Sequence, residues 1–194
     1  MLGCRARAEG TKLAQADTRV IETPRLILRL PWASDVETMM SIHQDPDVMR
    51  YLGAGVSGDI SVAWRNVAMT IGHWQMLGYG PWVVVGKDTG QILGRAGLWN
   101  AAGGPGVELG WMMRRSAWGR GYATEAARGA LEWAWQRTAV DRIISIIRAE
   151  NAPSIRIAEK LGQRLESTNV VDGATVYTYG IHRDAVNRPA SPTA

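Results

Sequence analysis

The sequence predicts one α/β (α+β) domain built on a mixed sheet. Three observations carry that prediction. Short apolar runs bounded by turn residues mark about seven strands. Runs of helical period with recognisable ends mark about four helices. Their order, β-α-α-β-β-β-α-β-α-β-β, mixes hairpins with helical crossovers, as a mixed sheet requires.

The elements justify themselves in order along the 194 residues. Residues 1–20 mix charges and small side chains without a period, which predicts a poorly ordered extension. The single domain is expected over 21–186. "RLILRL" (25–30) reads as the first strand. "SDVETMMSIHQD" starts on Ser34, a good N-cap, with Val36, Met39, Met40 and Ile42 at helical spacing. A second helix runs from the cap Asp59 to Gly78. "PWVVVG" and "QILGRAGLW" are strands joined by the hairpin turn "KDTG". In "VELGWMM", alternation puts Val107, Leu109 and Trp111 on one face and Glu108, Gly110 and Met112 on the other.

A long helix follows. Ala123, Ala126, Ala127, Ala130, Leu131 and Ala134 form its apolar stripe, small enough to sit close to a sheet. "RIISIIR" reads as a strand buried on both faces. "APSIRIAEKLG" is a short helix ending at Gly162. Two final strands meet at Asp172-Gly173, a hairpin signal. The proline-rich end, 187–194, is expected to be a flexible tail.

Composition narrows the function. Hydrophobic residues make up 46% and charged residues 21%, a globular profile. Phenylalanine is absent and tryptophan occurs nine times, so indoles must fill most bulky core positions. The net charge of +4 is modest. Arg114, Arg115 and Arg120 cluster, but acids interleave elsewhere, which argues against a nucleic-acid partner. The only cysteine is Cys4, which excludes an internal disulfide and fits a cytoplasmic location. Leu2-Gly3-Cys4 has the look of a lipid-attachment box, but no apolar stretch precedes it. No apolar run reaches the ~18 residues of a membrane span, so no membrane partner is expected. His43, His73 and His182 lack metal-ligand spacing and read as packing or surface residues, so no metal is expected.

"AWGRGYATEA" (117–126) is the first candidate site. Gly119 and Gly121 let backbone approach a ligand closely, and the helix behind them offers unpaired N–H groups and a partial positive charge. A P-loop and a complete G-x-G-x-x-G are both absent, since Thr124 stands where a third glycine would be. On the residues alone, this is a phosphate cradle or an ordinary tight turn.

The run "VELGWMMRRSAWGRGYATEAARGALEWAW" closely resembles the acetyl-CoA-binding core of the GCN5-related N-acetyltransferases, the GNAT superfamily. The family's loop is (Arg/Gln)-x-x-Gly-x-(Gly/Ala). Trp118 replaces the usual Arg or Gln, as in the RimJ/RimL-like branch, where W-G-x-G-x-A-x-E is common. "TPRLILR", "HQDPDVMRYLG" and "NAPSIRIAEKLG" agree with that branch, and the likeness runs from Thr23 to Arg183. Gln163 departs from the family's apolar aromatic, a change that bears on packing rather than chemistry.

The resemblance implies a twisted, mostly antiparallel sheet with a V-shaped splay between two central strands. It implies acetyl-CoA as cosubstrate and an amine acceptor, either a peptide N-terminus or a small molecule. The pyrophosphate would meet backbone N–H groups of Trp118, Gly119, Arg120, Gly121, Tyr122, Ala123 and Thr124. Met112 and Met113 would pair with the pantetheine arm, with Arg114 at its exit. Asn151 would contact pantetheine and Ser154 would protonate the leaving thiolate. Glu108 would be the general base, because an ammonium cannot attack a thioester. The oxyanion would meet the Met112 N–H. Each residue also has a plainer role open to it. Glu108 can be an ion-paired strand carboxylate, and Ser154 and Asn151 can be helix caps. Trp82, Trp99 and Trp111 are candidates for the acceptor pocket. Alternatives to an enzyme are a silent acyl-CoA-binding module and a ribosome- or RNA-associated protein. Relatives that dimerise make a homodimer an option, but no sequence feature selects it.

Overall fold

The computed structural model describes residues 18–53 and 55–186. The extension and tail expected at 1–20 and 187–194 therefore fall outside it, apart from Thr18, Arg19 and Val20. Eight strands form one sheet: β1 (Ile21–Glu22), β2 (Leu26–Arg29), β3 (Pro81–Gly86), β4 (Ile92–Trp99), β5 (Val107–Met113), β6 (Arg142–Arg148), β7 (Arg164–Val171) and β8 (Ala174–His182). Their spatial order is β1-β2-β3-β4-β5-β6-β8-β7. The strand beyond the expected seven is the two-residue β1. Every pairing is antiparallel except β5 with β6.

The helices are α1 (Val36–His43), α2 (Pro46–Met49), α3 (Ile60–Leu77), α4 (Tyr122–Arg137), α5 (Ala152–Lys160) and α6 (Arg183–Val186). Among the described residues no helix is long and apolar enough to cross a membrane. Asp59 caps α3 by accepting from the Ser61 N–H at 2.8 Å, and Gly78 ends it at φ 73°. Residue Ser34, read as the cap of α1, does not act as one. Ala33–Asp35 wind into a 3-10 turn instead, because the buried Asp35 carboxylate takes both the Trp32 N–H (2.7 Å) and the Arg29 guanidinium (2.7 and 2.8 Å).

The two faces of the sheet carry different layers. Helix α4 lies on one face through its alanine stripe, with Ala126, Ala127, Ala130 and Ala134 fully buried. Small side chains let the helix axis approach closely, so dispersion contacts accumulate without large residues. Trp74, Trp82 and Trp133 meet edge to face at 4.8–5.6 Å between ring centres in this core. Their indole N–H groups donate to backbone carbonyls of Pro81, Arg19 and Thr18. Helices α1 and α3 cover the other face around Met39, Ile42, Val67 and Met112.

Helix α5 ends in a glycine cap of the Schellman type. Gly162 sits at φ 85°, its N–H donates to Glu159, and the next N–H, of Gln163, donates to Ala158. The Gln163 side chain is 2% exposed, and neither its Nε2 nor its Oε1 finds a partner. The departure noted in the sequence is thus a buried, unsatisfied amide.

Candidate functional site

The site grows from the one parallel seam. Strands β5 and β6 pair only at Val107–Ile143 and Glu108–Ile144, although both continue for several residues. Beyond Glu108 they part, and the Ser145 hydroxyl spans the fork by donating to the Leu109 carbonyl at 2.7 Å. Strand β6 is therefore not buried on both faces throughout, as its apolar run suggested. Ile146 is 37% exposed because its neighbour strand has moved away.

A cleft of about 440 Å³ opens at this fork. It gathers Glu108 from β5 and Asn151 and Ser154 from the start of α5. Trp99 and Trp111 line it too, whereas Trp82 is wholly buried in the core. The Ile146 N–H of β6 faces the Glu108 carboxylate across the gap. Burial pushes its pKa above the ordinary carboxylate range, and the Ile146 N–H and the Arg95 charge offset this only in part. The Ser154 hydroxyl accepts from the Trp111 indole at 3.3 Å. Asn151 does cap α5, since its Oδ1 accepts from the Ser154 N–H at 3.3 Å. Capping and cleft lining coexist in this residue.

The glycine loop lies at the far end of β5. Gly119 and Gly121 stand at φ 71° and 77°, a left-handed backbone that other residues adopt only at a cost. A Cβ at Gly119 would meet no atom within 4 Å, so this surface is open. Among the described residues, the N–H groups of Gly119, Arg120, Gly121, Tyr122, Ala123 and Thr124 have no acceptor. The first helical bond of α4 starts only at the Glu125 N–H. The Trp118 N–H is already used by Arg115 and its indole N–H by the Met113 carbonyl at 2.8 Å. Trp118 thus braces the loop instead of offering its backbone.

The braces continue behind the loop. The Glu125 carboxylate accepts from the Thr23 hydroxyl (2.6 Å), the Arg25 N–H (2.9 Å) and the Arg25 Nε (2.6 Å). Arg25 Nη1 then donates to the Arg120 carbonyl at 2.8 Å. Arg25 and Arg120 both stack on the Tyr122 ring. Arg114 reaches back to the Ile92 carbonyl at 3.4 Å, beside a separate depression of about 420 Å³.

Register corrects one expectation. The Arg114 N–H donates to the Leu93 carbonyl, and β4 stays in step with β5 to Trp99–Glu108. Antiparallel pairs alternate between bonded and non-bonded, so the Met112 backbone faces β4, not the splay. The Leu109 bond to Ser145 confirms the alternation. The N–H groups of Trp111 and Met113 are the ones that face the fork.

Sequence reasoning passed over three residues that the fold brings here. Arg95 and His43 line the cleft, and Ser145 bridges its apex. Their signal was faint: one arginine in an apolar strand, one histidine at a helix end and one serine among isoleucines. The His43 Nδ1 bonds the Met39 carbonyl at 2.7 Å. Burial and the Arg95 charge hold its pKa below the usual value, against the pull of that carbonyl. His73 is a packing residue, as read. It stacks on Trp99 at 4.5 Å and accepts from the Asn100 N–H at 3.0 Å. Among the described residues no group of three or more His, Cys, Asp or Glu side chains could hold a metal.

A sheet forked at one parallel seam, with a glycine-opened helix beside it, is the arrangement that the sequence resemblance implied. The family model described as "Acetyltransferase (GNAT) domain" matches residues 25–164, and the chain belongs to that family. It is 32% identical over 161 residues to the uncharacterized protein YkkB of Bacillus subtilis, covering 79% of this chain and 89% of that one. It is 27% identical over 146 residues to the uncharacterized N-acetyltransferase p20 of Bacillus licheniformis, covering 74% and 82%. The fold is similar to a GNAT-family acetyltransferase from Bacillus anthracis, with TM-score 0.75 and 26% identity over 85% of this chain and 99% of that one. RimL, a ribosomal L7/L12 α-N-protein acetyltransferase solved with coenzyme A, shares the fold at TM-score 0.73 and 19% identity, over 86% and 99%.

Proposed function

We propose that this chain is an acetyl-CoA-dependent N-acetyltransferase that moves the acetyl group directly to a primary amine within a ternary complex. The carrying observation is the fork itself: a carboxylate of raised pKa at the apex of a cleft, with unpaired N–H groups at the end of the same strand. Acetyl-CoA supplies an activated thioester. The free N–H groups of Gly119–Thr124 and the start of α4 suit a pyrophosphate. Trp111 and Met113 offer backbone along the fork, Met113 as first read and Trp111 in the place first given to Met112.

Glu108 takes the proton from the acceptor ammonium, directly or through water. A raised pKa makes it a better base near neutrality than an ordinary carboxylate. The amine nitrogen bonds the acetyl carbon, and the Trp111 N–H stabilises the oxyanion. As the carbon–sulfur bond breaks, the nitrogen gives its remaining excess proton to solvent, and the Ser154 hydroxyl protonates the departing thiolate and is reprotonated from solvent. The Trp111 indole orients that hydroxyl. The acceptor is a peptide N-terminus or a small amine, and fold alone does not choose between them.

The test pairs Gly121→Glu with Gly121→Ala. Both carry the same φ strain, but only the first puts a carboxylate at the loop. Isothermal titration should show acetyl-CoA affinity within a few-fold of wild type for Ala and loss of about 100-fold or more for Glu. Equal binding by both variants would sink the loop assignment. Thiol release over an amine panel then separates an enzyme from a silent acyl-CoA-binding module.

A further inference from the structure

We infer that the acceptor carries a carboxylate beside its amine, and that Arg95 is the residue that reads it. This rests on the acyltransfer reading above and names the substrate class of the same cleft.

Arg95 is partly buried on β4 and has no hydrogen-bond acceptor or ion-pair partner among the described residues. The Glu108 carboxylate attracts it without forming an ion pair. Taking a guanidinium out of water without an anion is costly, so its arrangement is completed by an anion from outside the chain. Planar guanidinium matches carboxylate geometry with two parallel hydrogen bonds.

Register places this cation and the proposed base on one face. Arg95 pairs with Met112 and Glu108 with Trp99. Between those rungs Gly97 pairs with Gly110, so no side chain stands between Arg95 and Glu108. The two glycines differ in meaning. A Cβ at Gly97 would lie 2.6 Å from the Gly80 carbonyl, so packing requires glycine there. A Cβ at Gly110 would meet nothing within 4 Å. Its bare backbone floors the cleft, leaving space over which a compact amino acid-like acceptor spans from Glu108 to Arg95.

The remaining charged lining agrees. Arg148 adds a second guanidinium, and Glu108 is the only acid among the lining residues. His43 is held towards its neutral form. Such a wall opposes polyamines and favours an amine with its own negative charge.

The experiment measures thiol release by the full chain with acetyl-CoA over matched pairs: free amino acids against their amides, and short peptides with an acidic second residue against the glutamine counterparts. Wild type should favour the carboxylate member at least tenfold in kcat/KM. The first pairs report a free amino acid and the second an acidic peptide end. Arg95→Gln should raise KM for carboxylate acceptors at least tenfold, change it by less than about threefold for their amides, and leave acetyl-CoA affinity unchanged by titration. Gly110→Ala, whose Cβ would meet nothing within 4 Å, should raise KM for every acceptor with thermal stability retained. Equal use of acid and amide by wild type, a preference for polyamines, or an Arg95→Gln KM unchanged for acids would each overturn the inference. Failure to bind acetyl-CoA would instead overturn the acyltransfer reading beneath it.

Discussion

Glu125→Ala strips the brace from behind the glycine loop, and the cost can be worked from its contacts. The carboxylate accepts from the Thr23 hydroxyl and the Arg25 N–H at 2.6 and 2.9 Å. Hydrogen bonds to a charged acceptor contribute about 1.5 kcal/mol each at the low end of their range. The Arg25 guanidinium pairs with it at 2.6 Å, but that side chain is 48% exposed, so solvent screening reduces this pair to about 0.5 kcal/mol. The loss is thus about 3.5 kcal/mol, or roughly 7–14 °C in Tm for a chain of this length. Thermal unfolding followed by circular dichroism reads it. Burial raises the Glu125 pKa, but its bonds to Thr23 and Arg25 and the Arg25 charge outweigh that and lower it. Its contribution is present above the unfolded pKa and is lost as pH falls through the folded one, so the gap between wild type and variant should close in acid. Arg25 also holds the Arg120 carbonyl, so acetyl-CoA affinity should fall about tenfold. A Tm change under about 2 °C near neutrality, or one of equal size in acid, would refute the reasoning.

Three more outcomes follow from the same structure. Asp35→Asn leaves the Arg29 guanidinium without its buried anion and should cost about 3–5 kcal/mol in urea unfolding. The Asp35 pKa is raised by burial and lowered further by Arg29 and the Trp32 N–H, so wild type should lose this share as pH falls through its folded pKa, and the variant should not. Gln163→Leu removes a buried amide with no partner and should stabilise the fold by about 1–3 kcal/mol; a lower Tm would show that the amide is satisfied in solution. Wild-type kcat/KM should rise with pH through the raised Glu108 pKa, and that limb should vanish in Glu108→Gln. Since the folded state holds this proton more tightly, the Glu108 share of stability is lost as pH rises through the folded pKa, and Gln should be at least as stable as Glu near neutrality.

Local signals were legible in the sequence and pairings were not. Helix α3 was bracketed by Asp59 and Gly78 because cap and stop act within a few residues. The alanine stripe of α4 was visible because helical period is local. Ser34 misled because the competing contact, Arg29 with Asp35, joins a strand to the turn after it. Alternation showed which face each β5 side chain takes, yet not which neighbour its N–H meets. That depends on the offset of β4, which turned Met112 away from the fork. Arg95 was invisible for the same reason: only register places it on the Glu108 face, with a glycine pair between.

The fork also sets a problem of solubility. A strand edge with bare N–H and carbonyl groups invites pairing with another chain, and proteins usually shield it. Here two such edges sit inside the sheet, on β5 and β6 past their last shared rung. They converge on Glu108 and Ser145, so the gap narrows to a dead end. A foreign strand entering it would meet the Trp111 and Ile146 side chains that line the gap. The wedge therefore closes at its apex, and the protein carries an open β edge inside its own sheet with the charges of Glu108 and Arg148 beside it.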